Sequence, residues 1–378
     1  MSEIDRVTEI KDRAGTGAPN FTFGVKFAGS DSGINPHTHT EGANEPGSPN
    51  NGDTWWDSAN DLYKVYMDNA WKDWLGTSAP SFAYGGDRGI SGGGKNNSNY
   101  QNSNIIEYWD MTSAGNSSDF GDLTRSTAYH CGACSSTTRG LFFGGDTVDV
   151  IDYIPITGNA TDFGDLLATV DYIDSSSNGT RAVTYGGDAG GTTPQNVMQY
   201  VTIANTGNAT DFGDMHGARK GVGAAGSATR GLYGGGLASG AQTADDTIQY
   251  ITYDTTGNST DFGNLTVGRR QGTATSNLVR AVWTGGYNDG VGYSDVIDYI
   301  TIANTGNATD FGNLLAAGES TNIGATCNGT VGHITASGTS KAIQQITIAN
   351  TGNATDFGDL TGNTNGVYGN DCCSGAAS

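Results

Sequence analysis

A nine-residue phrase, TGNATDFGD, stands at Thr157–Asp165 and returns with little change down the chain. Copies lie at Thr206–Asp214, Thr256–Asn264, Thr305–Asn313 and Thr351–Asp359, with an earlier relative, AGNSSDFGD, at Ala114–Asp122. The phenylalanines of the phrase, Phe120, Phe163, Phe212, Phe262, Phe311 and Phe357, are 43 to 50 residues apart. Such a repeat constrains the fold before local propensities do, because each unit is one supersecondary block that buries its apolar surface on its neighbours.

More than the phrase repeats. Ahead of each copy lies a β-type run: NIIEYWDM (Asn104–Met111), DVIDYIPI (Asp149–Ile156), NVMQYVTI (Asn196–Ile203), DTIQYITY (Asp246–Tyr253), DVIDYITI (Asp295–Ile302) and KAIQQITI (Lys341–Ile348). Ahead of those lie runs ending in glycine, such as FAYGGD (Phe82–Asp87), FFGGD (Phe142–Asp146) and VTYGGD (Val183–Asp188), and earlier still small-residue runs such as GACSSTTRG and GATCNGT. Each unit therefore reads as strand a (small residues), strand b (ending in Gly-Gly), strand c (Ile/Val/Tyr-rich) and strand d (around DFGDL). Strand c is apolar on both alternating faces, with Ile151 and Tyr153 opposite Ile154 and Ile156. Such a strand belongs to a sheet covered on both sides. Four-stranded sheets packed face to face around an axis, a β-propeller, satisfy that requirement. The small residues of strand a suit the crowded innermost position, and the glycine pairs allow sharp turns.

At this point the sequence resembles the kelch propellers, whose units carry a strand ending in Gly-Gly, then a Tyr, a Trp and an Arg. The Tyr is matched by Tyr108, Tyr153, Tyr200, Tyr250 and Tyr299, with Gln345 in the sixth unit; Phe of DFG takes the Trp place, and Arg125, Arg219 and Arg269 take that of Arg. The resemblance covers Ser81–Ser378 and implies fold more than function. Six b, six c and six d strands are countable, with Ser81 opening directly on strand b. The residues after the last DFGDL, Thr361–Ser378, have the composition of strand a. The expected fold is all-β: a six-bladed propeller over 81–378, closed by a C-terminal strand that becomes the innermost strand of blade one. TGNAT is expected as the c–d turn, Gly and Asn supplying positive φ. The N-x-S/T triplets within it read as turn residues. DFG is no kinase motif, since no Gly-rich loop, strand lysine or HRD accompanies it.

The first eighty residues do not repeat. IDRVTEIKDRAGTGAPNFTFGVKFAGS (Ile4–Ser30) resembles the opening phrase of bacteriophage tail-fibre and virion proteins. With the polar linker DSGINPHTHTEGANEPGSPNN (Asp31–Asn51) it suggests an attachment segment over 1–47. GDTWWDSANDLYKVYMDNAWKDWL (Gly52–Leu75) resembles an aromatic β-hairpin module of phage fibres, assigned to 48–80, with strands around Thr54–Asp57, Leu62–Met67 and Trp71–Leu75. Its tryptophans, Trp55, Trp56, Trp71 and Trp74, must be buried on one another or on a neighbouring subunit. His37 and His39 lie on one strand face and are the weak metal candidates; phage-fibre resemblance adds a trimer-axis site for such a pair.

Composition narrows the partners. Asp+Glu outnumber Lys+Arg 39 to 18, for a net charge of −21. That surface repels phosphate backbones and anionic lipid, so neither nucleic acid nor membrane insertion is expected. MSEIDRVTEI lacks the apolar core of a secretion signal. Five cysteines, Cys131, Cys134, Cys327, Cys372 and Cys373, with no secretion signal fit synthesis in a reducing cytosol. CGAC at Cys131–Cys134 has redox or zinc spacing but lacks a second CxxC. SPNNGDTW (Ser48–Trp55) resembles a sialidase Asp-box without the catalytic triad of that family. His130, His216 and His333 fall in different units and offer no copper-oxidase ligand pair. No enzyme activity and no cofactor are expected.

Propeller connectivity puts the a–b and c–d turns on one face and the b–c and d–a connections on the other. The c–d turns are near-identical; the b–c loops vary, among them DRGISGGGKNNSNYQNS (Asp87–Ser103), DAGGTTPQ (Asp188–Gln195), LASGAQTAD (Leu237–Asp245) and NDGVGYS (Asn288–Ser294). Variable loops on a rigid scaffold are the usual place of recognition. The candidate binding residues are Lys95, Asn96, Tyr100, Thr193, Gln195, Tyr287, Asp289 and Tyr293. The expected function is that of a phage virion structural protein, first a tail-fibre or adsorption protein that binds host-surface glycan or protein. It would join other virion proteins through its N-terminal region, as a homo-oligomer in the particle. A capsid decoration or head-fibre protein, and a glycan-acting virion enzyme, are the alternatives.

Overall fold

A computed structural model describes residues 39–42, 46–48, 53–57, 62–67, 70–73, 86–96, 103–125, 130–146, 148–155, 158–190, 193–241, 243–316, 323–335, 340–361, 367–368 and 371–374. The chain divides into two units, Met1–Pro80 and Ser81–Ser378.

In the first unit, His39–Gly42, Thr54–Asp57, Leu62–Met67 and Ala70–Asp73 form one sheet in chain order. The first pair is parallel and the others antiparallel. Tyr66 and Trp71 pair across the last two strands, their rings edge-on at 5.4 Å. The stretch expected as linker thus contributes a strand, and His39 lies in it; His37 lies outside the described residues.

The second unit is a six-bladed β-propeller. Blades two to six run a–b–c–d from the axis outward, each strand antiparallel to the next. Their inner strands are Gly132–Ser135, Asp174–Ser177, Gly223–Gly226, Thr273–Ser276 and Gly324–Cys327. Blade one takes its inner strand, Asp371–Ser374, from the C-terminus; this pairs with Arg88–Gly92, followed by Ile105–Asp110 and Ser118–Asp122. The closing strand lies between the inner strands of blades six and two. The closure inferred from strand counting is therefore the closure of the ring.

Strand b of blade one is Arg88–Gly92, later than the FAYGGD run assigned to it. Its Arg-Gly-Ile start matches Arg181, Arg230 and Arg280 at the start of strand b in blades three to five, and Arg139 just before it in blade two. FAYGGD and the Arg88–Gly92 strand both run into a Gly-Gly pair, and part of the long loop expected at Asp87–Ser103 is this strand.

One pair of strand-c residues recurs in all six seams between blades. One strand-c residue per blade, Ile106, Ile151, Met198, Ile248, Ile297 or Ile343, is wholly buried. The next residue is polar and also buried: Glu107, Asp152, Gln199, Gln249, Asp298 or Gln344. Its side-chain oxygen accepts the N–H of the second residue after DFG[D/N] of the preceding blade, at 2.6–3.3 Å. These donors are Thr124, Leu167, His216, Thr266, Leu315 and Thr361. A buried acceptor without a donor would cost about 1–3 kcal/mol, so these bonds set blade spacing. Where the acceptor is Asp, an arginine joins it: Arg125 on Asp152 and Arg269 on Asp298, both at 2.8 Å. Arg219 pairs instead with Asp245, at 3.2 Å.

A second arginine set stacks on the strand-c tyrosines. Arg88, Arg139, Arg181, Arg230 and Arg280 lie over Tyr108, Tyr153, Tyr200, Tyr250 and Tyr299 at 4.4–5.2 Å. Each tyrosine meets the DFG phenylalanine of its own blade edge-on at 5.8–6.1 Å. Four of these arginines also donate to a carbonyl of the following blade, at Ile203, Tyr253, Ile302 and Ile348.

Candidate functional site

The two ends of the ring are chemically different. On the a–b and c–d face, the repeated phrase forms a belt. The asparagine of each TGN or AGN accepts the backbone N–H of the residue after DFG in the preceding blade, at 3.0–3.2 Å, in all six seams. The residue after that asparagine donates to the carbonyl of the same partner, as Ala209 does to Asp165 at 2.8 Å. Strand pairing slips at DFG in every c–d pair, leaving Phe as the extra residue of a bulge. The bulge glycine has room for nothing else. A Cβ on Gly263 would lie 2.2 Å from the carbonyl oxygen of Gly306. The belt thus covers the outer edge of each blade, which is otherwise open to pairing. Of the glycines and asparagines expected at positive φ, the turn glycines Gly158, Gly207, Gly257 and Gly306 take it, whereas the asparagine side chains make the seam.

The other face carries the differences between blades. In blade three, Asp188–Ala189 pairs with the start of a ten-residue strand c, Thr193–Thr202. Strand d of that blade continues to Lys220, where Leu237–Ala238 of blade four joins it. Blade five adds a hairpin, Tyr287–Asn288 with Gly292–Tyr293. In blade one, Lys95–Asn96 pairs with Val367–Tyr368.

At this end the chain turns into the inner strands through four residues in the left-handed region: His130, Tyr172, Gly221 and Gln271, with φ of 57°, 53°, 65° and 59°. They occupy equivalent places in blades two to five. Gly221 N–H donates to Tyr172 O at 2.9 Å, and Gln271 N–H to Gly221 O at 2.8 Å, so they form part of a rim where the chain enters the inner strands. Non-glycine residues in this region cost energy, and such strain gathers at functional sites.

Charged groups precede this rim. Asp171, Lys220 and Arg270 stand one residue before Tyr172, Gly221 and Gln271. Lys220 pairs with buried Asp188 and lies 5.2 Å from the Tyr172 ring. Arg270 pairs with Asp289 at 2.9 Å and lies over Tyr287 at 5.0 Å. Burial pushes Asp171 up to about 6, with the Asp188 charge adding and Lys220 opposing. The bond from Arg270 holds Asp289 below the usual carboxylate range. Asp289 also accepts Ala244 N–H at 2.7 Å, tying the loops of blades four and five.

The candidate residues divide accordingly. Tyr287 and Tyr293 meet edge-on at 5.5 Å; Tyr293 is 52% exposed, and Val291 at the hairpin tip is 88% exposed. Asp289 serves the loop structure rather than an open surface. Thr193 is exposed, and its N–H donates to Asp188 at 2.5 Å; Gln195 N–H donates to Gly187 O and its amide to Thr193 O, each at 2.8 Å. The Lys220–Leu237 strand pairing and the Ala244–Asp289 bond join blades three, four and five in one arc. Lys95 and Asn96 stand in the blade-one strand, and Tyr100 lies outside the described residues. Asp171, Tyr172, Lys220 and Arg270 were missed. Their signal was the non-small residues just before each strand a.

The CGAC pair does not converge. Cys131 packs with Ile90 and Ile106 of blade one, whereas Cys134 packs with Val201 and Ile203 of blade three. Burial pushes the Cys134 thiol up to about 12, which leaves it unreactive at neutral pH. Among the described residues, no group of three His, Cys, Asp or Glu side chains could hold a metal ion. No protein-family model matches the chain, and no curated protein matches it.

Proposed function

We propose that the chain is a structural binding protein of a bacteriophage particle, most simply a tail-fibre or adsorption protein with a kelch-like propeller. The supporting observation is the division of labour between the two faces. The belt face repeats one structural phrase six times, while the opposite face carries the blade-specific hairpins, the exposed Tyr293 and Val291, and the charged rim. A rigid ring with one variable face suits recognition of a host-surface glycan or protein, with tyrosine supplying contact area at low entropy cost. The resemblance of Ile4–Ser30 and Gly52–Leu75 to virion phrases assigns the first unit to attachment.

Binding of the purified full chain to host cells, with antibody labelling of intact particles, tests this reading. Labelling at the tail together with saturable binding supports it. Labelling over the head supports the decoration-protein alternative. Release of reducing ends from host polysaccharide would instead make the chain an enzyme.

A further inference from the structure

The junction of blades six and one departs from the other seams. Val331 stands where the other blades have the stacking arginine, and Gln345 where they have its tyrosine. The buried apolar cluster here, Trp109, Met111, Ile343, Phe357 and Leu360, is the smallest of the six among the described residues. A different contact crosses the seam. The indole N–H of Trp109, on strand c of blade one, donates to Nδ1 of His333, on strand b of blade six, at 2.7 Å. The other ring nitrogen lies 3.1 Å from Gln345 Oε1, so the neutral Nε2–H tautomer satisfies both neighbours. Phe357 covers the ring at 4.1 Å, and the His333 side chain is wholly buried. The C-terminal strand packs against the inner strand of blade six in this same junction.

We propose that this junction is an acid-released latch: protonation of Nδ1 of His333 removes the acceptor for Trp109, and the ring opens between blades six and one, releasing the C-terminal strand. The groups facing the imidazole, Trp109, Gln345 and Phe357, are neutral. Glu107, in the same seam, is held by Ser117 Oγ at 2.6 Å and Thr361 N–H at 2.7 Å. Asp87, at the end of the seam, accepts Asn328 Nδ2 at 2.9 Å. Burial pulls His333 down from 6.5 to about 4, with the bond to Gln345 opposing. The open form binds the proton below about pH 6.5 and the closed form only below about 4. Opening therefore grows as pH falls through that window and levels off beneath it. The full change is on the order of 300-fold, each unit of pKa difference being tenfold.

Hydrogen exchange of the full chain between pH 7 and 4, corrected for intrinsic rates, reads this directly. Asp371–Ser374 and Arg88–Gly92 should lose protection by about a hundred-fold or more on acidification, while Gly223–Gly226 and Thr273–Ser276 keep theirs. His333→Gln should flatten the profile of the closing strand. Trp109→Phe, which keeps the histidine and removes the donor, should loosen the closing strand already at pH 7 and covers the case of a glutamine variant that does not fold. Uniform loss of protection in all blades, a flat wild-type profile, or the same pH dependence in His333→Gln would overturn the latch.

Discussion

At one end of the ring every blade makes the same bonds; at the other the described loops differ from blade to blade. The belt end uses the side chain of Asn208, the carbonyl of Gly207 and the bare Cα of Gly164 for one purpose, the seam to the neighbouring blade. The loop end leaves groups unsettled: Asp171 Oδ1 is buried without a hydrogen-bond partner, and Tyr172 and Gln271 hold left-handed backbone. Only the belt end repeats one bonding scheme in all six seams. Uniform, satisfied bonding is what ring stability requires, and local departures from it are expected where function is placed.

Substitutions should separate the ends in order of size. Phe212→Ala empties a site that is 1% exposed beneath Tyr200, and should cost about 3–5 kcal/mol in denaturant unfolding. Gly263→Ala puts a methyl against Gly306 O at φ +153°, and should cost about 2–4 kcal/mol by the same measurement. Asn307→Ala removes the bond to Asn264 N–H and should cost about 1 kcal/mol. At the loop end the sign should reverse for Asp171→Asn. The folded carboxyl has a raised pKa, so its ionisation opposes folding as pH rises from about 4 to about 6. The variant should melt higher at pH 7, with little gain at pH 4. Tyr293→Ala should change stability by about 0.5 kcal/mol at most. Equal losses at both ends would erase the distinction.

Much of the ring was legible in the sequence because its determinants repeat. The c-strand pattern, the DFG phenylalanines and the missing first strand a together specify six blades and the C-terminal closure. The register of strand b in blade one was misread because Gly-Gly occurs twice, at Gly85–Gly86 and in the Gly92–Gly94 run; the arginine opening strand b was the better marker. Cross-seam bonds were not legible, since Asn208 and Asp165 are 43 residues apart and neither type announces a partner. The loop-face candidates were placed by connectivity alone. Sequence therefore located the loop that carries Tyr287 and Tyr293 but could not show that it is a hairpin, or that Asp289 is committed to Arg270 and Ala244.

The central claim, that the loop end recognises and the belt end only holds the ring, is tested most directly by cell binding of two full-length variants. One carries Tyr287→Ala and Tyr293→Ala, the other Asn208→Ala and Asn307→Ala. The tyrosine pair should bind host cells about 5- to 150-fold more weakly, corresponding to about 1–3 kcal/mol, with melting nearly unchanged. The asparagine pair should melt lower and bind as the wild type does. Folded asparagine variants that lose binding, beside tyrosine variants that keep it, would contradict the account.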